Sequence, residues 1–313
     1  MTKSLHFLAA AMMVVASTAS AQSYPTKNLR IITAAAGGGS DFATRLIATP
    51  LGAALGQQVI VDNRGLLAAD IAAKAPPDGY TLLLTGPTLW LLPFMRDHVA
   101  SNVSDFTPIT TATETANILV VHPTLPARSV KDLVALAKSR PGELNFATSG
   151  TGNSVHIAGE LFKAMAGVDV VRVNYRGATN ALTDLIAGRT QFMFAVPGSS
   201  VPHIKAGRLR ALAVTSAKPT PLAPDLPTVA QTLPGFESVS RLAIFAPAGT
   251  PATIVTLLNR EIVRALQSSE VKDKLLGSGV EAVGSTPEAL DALVKSEVAR
   301  MGKVIEAAGI RAD

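Results

Sequence analysis

The sequence lacks cysteine altogether and has few aromatic (4%) and few charged residues (16%). Without cysteine the chain can form no disulfide, no thiolate metal site and no thiol-linked lipid anchor. A nucleic-acid-binding protein would need clustered Lys and Arg with aromatics between them, and the sequence has no such cluster. The formal net charge of +5 is small and compatible with anionic ligands.

Histidines are also sparse, and those beyond the N-terminal region stand far apart, at His98, His122, His156 and His203. Metal sites are normally built from closely spaced ligands or from pairs of such groups. We therefore expect no metal site and no cofactor.

The N-terminus carries the pattern of an export signal. Lys3 and the apolar residues 8–16 precede Ala19-Ser20-Ala21, a small-x-small cleavage site. No later segment approaches the roughly 20 apolar residues that a membrane-spanning helix needs. We predict a signal peptide over residues 1–21, export to the periplasm and a mature chain from Gln22. About 290 residues then remain, which is enough for two domains.

Short apolar stretches alternate with amphipathic ones along the mature chain, which predicts an α/β fold with mostly parallel sheets flanked by helices. Strands are predicted at 29–33, 58–62, 81–85, 117–123, 144–150, 170–175, 191–196, 209–215 and 242–249. Helices are predicted at 43–55, 129–142, 155–167, 180–188, 200–207, 251–267, 269–279 and 287–309. The proline-rich stretch 216–228 is predicted to be a loop.

Two α/β units follow from this order, with the chain crossing into the second near 117–123 and returning near 241–247. We predict that residues 22–118 and 243–313 form domain 1 and that residues 119–242 form domain 2. Two crossings make a hinge with a cleft. Ligands of open α/β sheets bind beyond the carboxyl ends of strands, where "AGGGSD" (36–41) and "TSGTGNS" (148–154) could face each other.

The first glycine-rich turn admits three interpretations at the outset: a phosphate loop, a dinucleotide-binding turn or a site for another anion. A phosphate loop needs a lysine after the glycines, but Ser40 and Asp41 follow Gly39. A dinucleotide turn needs a small residue where Phe42 stands. Two glycine-rich turns at matching places therefore favour an anion held by backbone N–H groups.

A secreted hydrolase is the remote alternative, with Ser149 or Ser154 as nucleophile and His156 as base. The sequence has no Gly-x-Ser-x-Gly motif, and Ser154 is expected to cap the helix over 155–167. We therefore expect that the protein is not an enzyme.

Ten segments, in order, resemble the Bug or TctC-like extracytoplasmic solute receptors of tripartite tricarboxylate transporters. They are "YPTKNLRIITAAAGGGSD" (24–41), "LGQQVIVDNR" (55–64), "PDGYTLLL" (77–84), "DFTPIT" (105–110), "LNFATSGTGNSVHIAGELF" (144–162), "VNYRG" (173–177), "ALTDLIAG" (181–188), "VPHIKAGRLRALAVTS" (201–216), "PDLPTV" (224–229) and "APAGTP" (246–251). They span essentially the whole mature chain.

The resemblance implies a two-domain periplasmic binding protein of the type II, Venus flytrap kind. It would be a monomer that closes on a small carboxylate, an organic acid such as a dicarboxylate or an acidic amino acid. It would deliver this ligand to the two membrane subunits of the transporter; an orphan sensor receptor is the alternative. In the family, backbone amides of the first glycine loop and the Ser/Thr-rich loop of the second domain hold the ligand carboxylate. Carried over by position, the site residues are Ala36, Gly37, Gly38, Asp41, Thr148, Ser149, Gly150, Gly152, Asn153 and His156.

The chain also departs from the family pattern. Ala34 stands where the family usually has an aromatic, the glycine-rich loop after Arg64 is about four residues short, and Arg241 stands where a tryptophan is common. Asn174 replaces the usual proline of another motif, and Ala195 replaces a frequent acidic residue. We expect that Arg241, where it faces the cleft, clamps a second carboxylate or another anionic group in the space left at Ala34; the alternative is an exposed or hinge-pairing arginine.

Overall fold

The computed structural model describes residues 24–150, 153–175 and 177–311, so the predicted signal peptide lies outside the described residues. The strands are β1 (Leu29–Thr33), β2 (Val59–Asn63), β3 (Thr81–Thr85), β4 (Phe106–Ala116), β5 (Ile118–Val121), β6 (Asn145–Thr148), β7 (Val171–Asn174), β8 (Phe192–Ala195), β9 (Arg210–Val214), β10 (Val239–Pro247) and β11 (Glu281–Ala282). The helices are α1 (Gly39–Leu55), α2 (Ala68–Ala73), α3 (Thr88–Leu91), α4 (Val130–Ser139), α5 (Ser154–Ala166), α6 (Ala178–Ile186), α7 (Pro197–Lys205), α8 (Ala252–Gln267), α9 (Ser269–Gly277) and α10 (Pro287–Ala307).

These strands form two sheets, in the orders β11-β4-β10-β3-β1-β2 and β7-β6-β8-β5-β9. Strand β1 runs parallel to β2 and β3, and β6 runs parallel to β7 and β8. The remaining pairs are antiparallel, so both sheets are mixed and the expectation of mostly parallel sheets is wrong. The antiparallel pairs all involve β4, β5 or β10, the strands on either side of the two crossings between the sheets.

The chain passes from the first sheet to the second through a single residue, Asn117, which lies between β4 and β5. It returns between β9 and β10. The two crossings are joined by hydrogen bonds: the Thr215 N–H donates to the Asn117 carbonyl (2.9 Å), and the Asn117 N–H donates to Thr215 Oγ1 (2.8 Å). The strands thus change sheet close to the predicted crossings, while the domain boundaries at 118/119 and 242/243 stay predictions.

Buried apolar side chains cover both faces of each sheet. The C-terminal helices cover the first sheet: Leu258 of α8 packs on one face, and Leu290 of α10 packs on the other. The two halves also touch, because Ile157 of α5 packs into the core of the first sheet and Val304 of α10 packs against the core of the second. Among the described residues, no helix is both long and apolar enough to cross a membrane.

Candidate functional site

A cavity of about 480 Å³ lies where the two halves meet, a volume typical of small-molecule sites. Both halves contribute to its walls, the first through the loops after β1 and β3, strand β10 and helix α10, and the second through the start of α5. Its lining residues are Ala34, Ser40, Thr85, Gly86, Pro87, Thr88, Leu91, Leu92, Met95, Asn153, Ser154, Ile157, Glu237, Ser238, Val239, Ser240, Leu242, Glu297, Arg300 and Met301. The predicted site residues Ala34 and Asn153 are among them.

The first glycine loop connects β1 to α1 and is exposed from Ala34 to Gly39. Gly37 has φ +81°, a backbone conformation that residues with a Cβ rarely adopt, which explains a glycine at this place. Gly38 is the N-cap of α1 and has no side chain to accept hydrogen bonds from the first turn. In the described part of the chain, the N–H groups of Gly38, Gly39 and Ser40 have no hydrogen-bond acceptor.

Unpaired N–H groups at a helix start form a binding site for an anion, because the helix dipole adds partial positive charge there. Helix α1 has 17 residues, and Asp41 in its first turn offsets part of this positive charge. Ser40 also lines the cavity, which puts this helix start in contact with the space between the two halves.

Asp41 contacts the same loop through its carboxylate and is only 6% exposed. Its carboxylate accepts hydrogen bonds from the Gly37 N–H (2.9 Å) and from Asn63 Nδ2 (3.0 Å), and it pairs with Arg45 Nε at 2.9 Å. The hydrogen bond from Gly37, followed by the interaction with Arg45, holds the pKa of Asp41 below its usual value. Since Gly37 donates its N–H to Asp41, both predicted residues shape the loop in this structure.

The second loop lies between β6 and α5 in the other half. Asn153, not the expected Ser154, is the N-cap of α5, because its Oδ1 accepts the His156 N–H at 3.0 Å. Its Nδ2 donates to Ser149 Oγ at 3.3 Å. Gly150 has φ +134°, again a backbone conformation suited to glycine. The predicted site residue Gly152 lies outside the described residues.

Two further predicted residues of this half are buried below the loop. The Thr148 hydroxyl donates to Asn174 Oδ1 at 3.1 Å, and Thr148 is fully buried. His156 is 1% exposed, and the Arg172 guanidinium contacts both of its ring nitrogens. Neither residue lines the cavity. Their direct contact with a ligand stays a prediction.

His156 also lies near a carboxylate, since its Nε2 is 3.7 Å from Glu160 Oε1. Burial by itself raises the pKa of Glu160, but the interactions with His156 and Lys163 outweigh burial, so this pKa lies below its usual value. The His156 ring contacts Arg172 and Glu160, and Ser149 Oγ accepts a hydrogen bond from Asn153 Nδ2.

Arg241 is 3% exposed on β10 and is surrounded by three glutamates. Its Nε donates to Glu114 Oε1 at 2.7 Å, and its two terminal nitrogens pair with Glu297 and Glu237. Burial alone lowers the pKa of Arg241, but the attraction of the three carboxylates exceeds it and leaves this pKa above its ordinary value. These contacts are those of the hinge-pairing alternative, and Arg241 is not among the residues that line the cavity. Its contact with a ligand carboxylate stays a prediction.

Sequence reasoning missed most of the cavity wall, including the segment from Glu237 to Ser240, the loop after β3 and one face of α10. The loop Thr85–Thr88 lies at the end of β3. Because β3 runs parallel to β1, this loop and the first glycine loop leave the sheet at the same carboxyl end of the strands. The letters "TGPT" after a predicted strand could have indicated this loop. Glu297, Arg300 and Met301 share one face of α10 at helical spacing, but only the tertiary fold brings that face to the cleft.

Comparison with known proteins gives consistent matches. A family model described as "Tripartite tricarboxylate transporter family receptor" matches residues 43–310. Protein BugT of Bordetella pertussis is 33% identical over 306 residues, which cover 95% of this chain and 94% of BugT.

Two solved structures are also similar. "R. palustris Rpa4515 with adipate" is 37% identical with a TM-score of 0.73, and the match covers 92% of this chain and 99% of that one. MatC (Rpa3494) from Rhodopseudomonas palustris with bound malate is 29% identical with a TM-score of 0.67, over 90% of this chain and 100% of that one.

Proposed function

The chain belongs to the tripartite tricarboxylate transporter family of receptors, as its motifs predicted, and we propose that it binds a small carboxylate in the cavity between its halves. The observation that carries the proposal is the meeting of two strand-to-helix loops at one cavity, with Ser40 from one half and Asn153 from the other. The unpaired N–H groups at the start of α1 would hold the carboxylate. Two relatives of known structure contain adipate and malate, both carboxylates.

The mechanism that we propose is closure of the two halves around the ligand, with no bond made or broken. A ligand that contacts loops of both halves binds the closed state better than the open one and so shifts the population toward closure. The single-residue crossing at Asn117 and the return strand β10 are the places where the hinge would bend. Closure would signal occupancy to a membrane partner.

Receptors of this family work outside the cytoplasm, and we propose the periplasm as this protein's location after removal of residues 1–21. The partners would be the two membrane subunits of a tripartite transporter, which a closed, loaded monomer would dock onto. A transporter membrane pair encoded beside this gene would support this role over a sensory one.

The test is thermal unfolding of ligand-free protein against mono-, di- and tricarboxylates. A ligand at 100 times its dissociation constant should add about 2.7 kcal/mol of stability. That corresponds to a rise of roughly 4–5 °C in the unfolding midpoint for a chain of about 290 residues. If no acid raises the midpoint of a cooperatively folded protein, the proposed function is wrong.

A matched pair of variants locates the site. Ser40→Asp adds a negative charge at the start of α1 beside the cavity, where it should repel a ligand carboxylate while favouring the helix dipole. We expect at least about a tenfold loss of affinity, or 1.4 kcal/mol. Ser269→Asp makes the same change at the exposed start of α9 and should leave binding unaltered. Equal binding by Ser40→Asp and the parent protein would place the site elsewhere.

A further inference from the structure

We infer that the captured ligand is a monocarboxylate with an apolar chain and that the cavity rejects a second carboxylate, which excludes the predicted clamp by Arg241; the inference rests on the proposed function. Two features of the cavity wall away from the glycine loop carry it. One is the balance of charge among the groups contributed by β10, the segment before it and α10. The other is the apolar lining beside them.

The charged part of this wall consists of Glu237, Glu297 and Arg300, which we call the acidic wall. Arg241 lies behind it and pairs with both glutamates and with Glu114. The group thus contains two guanidinium groups against three carboxylates, so it is net negative by one charge. A second ligand carboxylate arriving here would meet a surface of its own sign.

Arg300 is the cation in this wall that a second carboxylate could approach, but its guanidinium already has partners. Its Nη1 donates to the Glu237 carbonyl, and its Nη2 lies 3.8 Å from Glu237 Oε2. A ligand carboxylate that approached Arg300 would also lie next to the Glu237 carboxylate. Repulsion between these two like charges offsets the attraction of the guanidinium.

Apolar side chains from both halves line the same cavity. They are Leu91, Leu92, Met95, Ile157, Leu242 and Met301. Each ligand methylene buried against such a surface should raise affinity about fourfold. A second carboxylate among these side chains would lose part of its hydration and would lie beside the acidic wall.

The test compares two acids of equal chain length, hexanoate and adipate, by isothermal titration calorimetry of the full mature protein. We expect hexanoate to bind at least tenfold more tightly than adipate. Glu237→Gln removes one negative charge from the acidic wall at a half-buried position, so it should bring the two affinities closer by raising that of adipate. Glu270→Gln is the control, because Glu270 pairs with Lys274 on exposed α9 and should leave the affinity ratio unchanged.

Several results would overturn the inference. Adipate that binds as tightly as hexanoate, or more tightly, contradicts it while leaving the proposed carboxylate receptor intact. Arg300→Gln should change the hexanoate and adipate affinities by the same factor. A loss confined to adipate would mean that Arg300 recognises a second carboxylate. If neither of these acids nor any other carboxylate binds, the proposed function fails and the inference fails with it.

Discussion

Removal of the Arg241 guanidinium should destabilise the protein strongly, because it leaves three carboxylates facing one another around a buried position. Arg241→Met keeps a long apolar side chain and deletes only the charged head. Glu297, whose side chain is 8% exposed, then loses its cation inside the protein, whereas Glu237 and Glu114 are 29% and 31% exposed. Breaking a buried pair from one side costs about 3–5 kcal/mol, whereas exposed pairs contribute about 0–1 kcal/mol. We therefore expect a loss of about 3–5 kcal/mol, most of it from Glu297.

The assay can use the tryptophan of the chain itself. The sequence has one tryptophan, Trp90, which is 2% exposed and donates its Nε1–H to Glu297 Oε2 at 2.8 Å. Its fluorescence therefore reports both unfolding and any change in this network. With a urea slope of about 1–3 kcal/mol per molar for a small protein, the unfolding midpoint should fall by about 1 M or more.

Two further variants show where the loss comes from. Adding Glu297→Gln to Arg241→Met removes the stranded buried charge and keeps an oxygen acceptor for Trp90, so about 1–3 kcal/mol should be recovered. Arg311→Met removes the guanidinium of an exposed pair with Asp97 and should cost about 1 kcal/mol or less. An Arg241→Met protein that unfolds within 1 kcal/mol of the parent would refute the reasoning.

Two other substitutions test the loop and the core. Asp41→Asn should lower stability by about 1.5–3 kcal/mol at pH 7, since a carboxylate that accepts the Gly37 N–H is lost. The pKa of Asp41 is lower in the folded protein than its unfolded value of about 3.9. The stability that Asp41 contributes is therefore fully present above about pH 3.9 and is lost as the pH falls through the folded pKa. A stability difference between the parent and Asp41→Asn that grows on acidification would contradict this. Gly159→Ala would place a Cβ 2.1 Å from Phe146 Cε2 and should cost about 1–3 kcal/mol in urea unfolding. Gly277→Ala, with open space around its Cβ, is the control and should be neutral or slightly stabilising; equal effects would mean that the Phe146 contact does not matter.

Most elements of the fold could be predicted because local periodicity fixes them. Strands β1 and β3 lie at the predicted residues, and α8 differs from its predicted span by one residue at its start. The long strand β4 was missed, since "FTPITTATETA" has a proline and many threonines and no clear alternation. It forms because β10 pairs along its whole length, and Pro108 is accommodated next to a register irregularity of that pairing.

The sequence by itself determined the α/β class, the family and the two glycine-rich loops, because short-range order and motif spacing are written in neighbouring residues. The tertiary structure decided which side chains face the cleft. Arg241 pairs with Glu114, 127 residues away, and with Glu297, 56 residues away, and no local pattern indicates either contact. Whether an arginine is available to a ligand depends on which charges the fold packs around it, since paired and unpaired guanidinium groups look the same in a sequence.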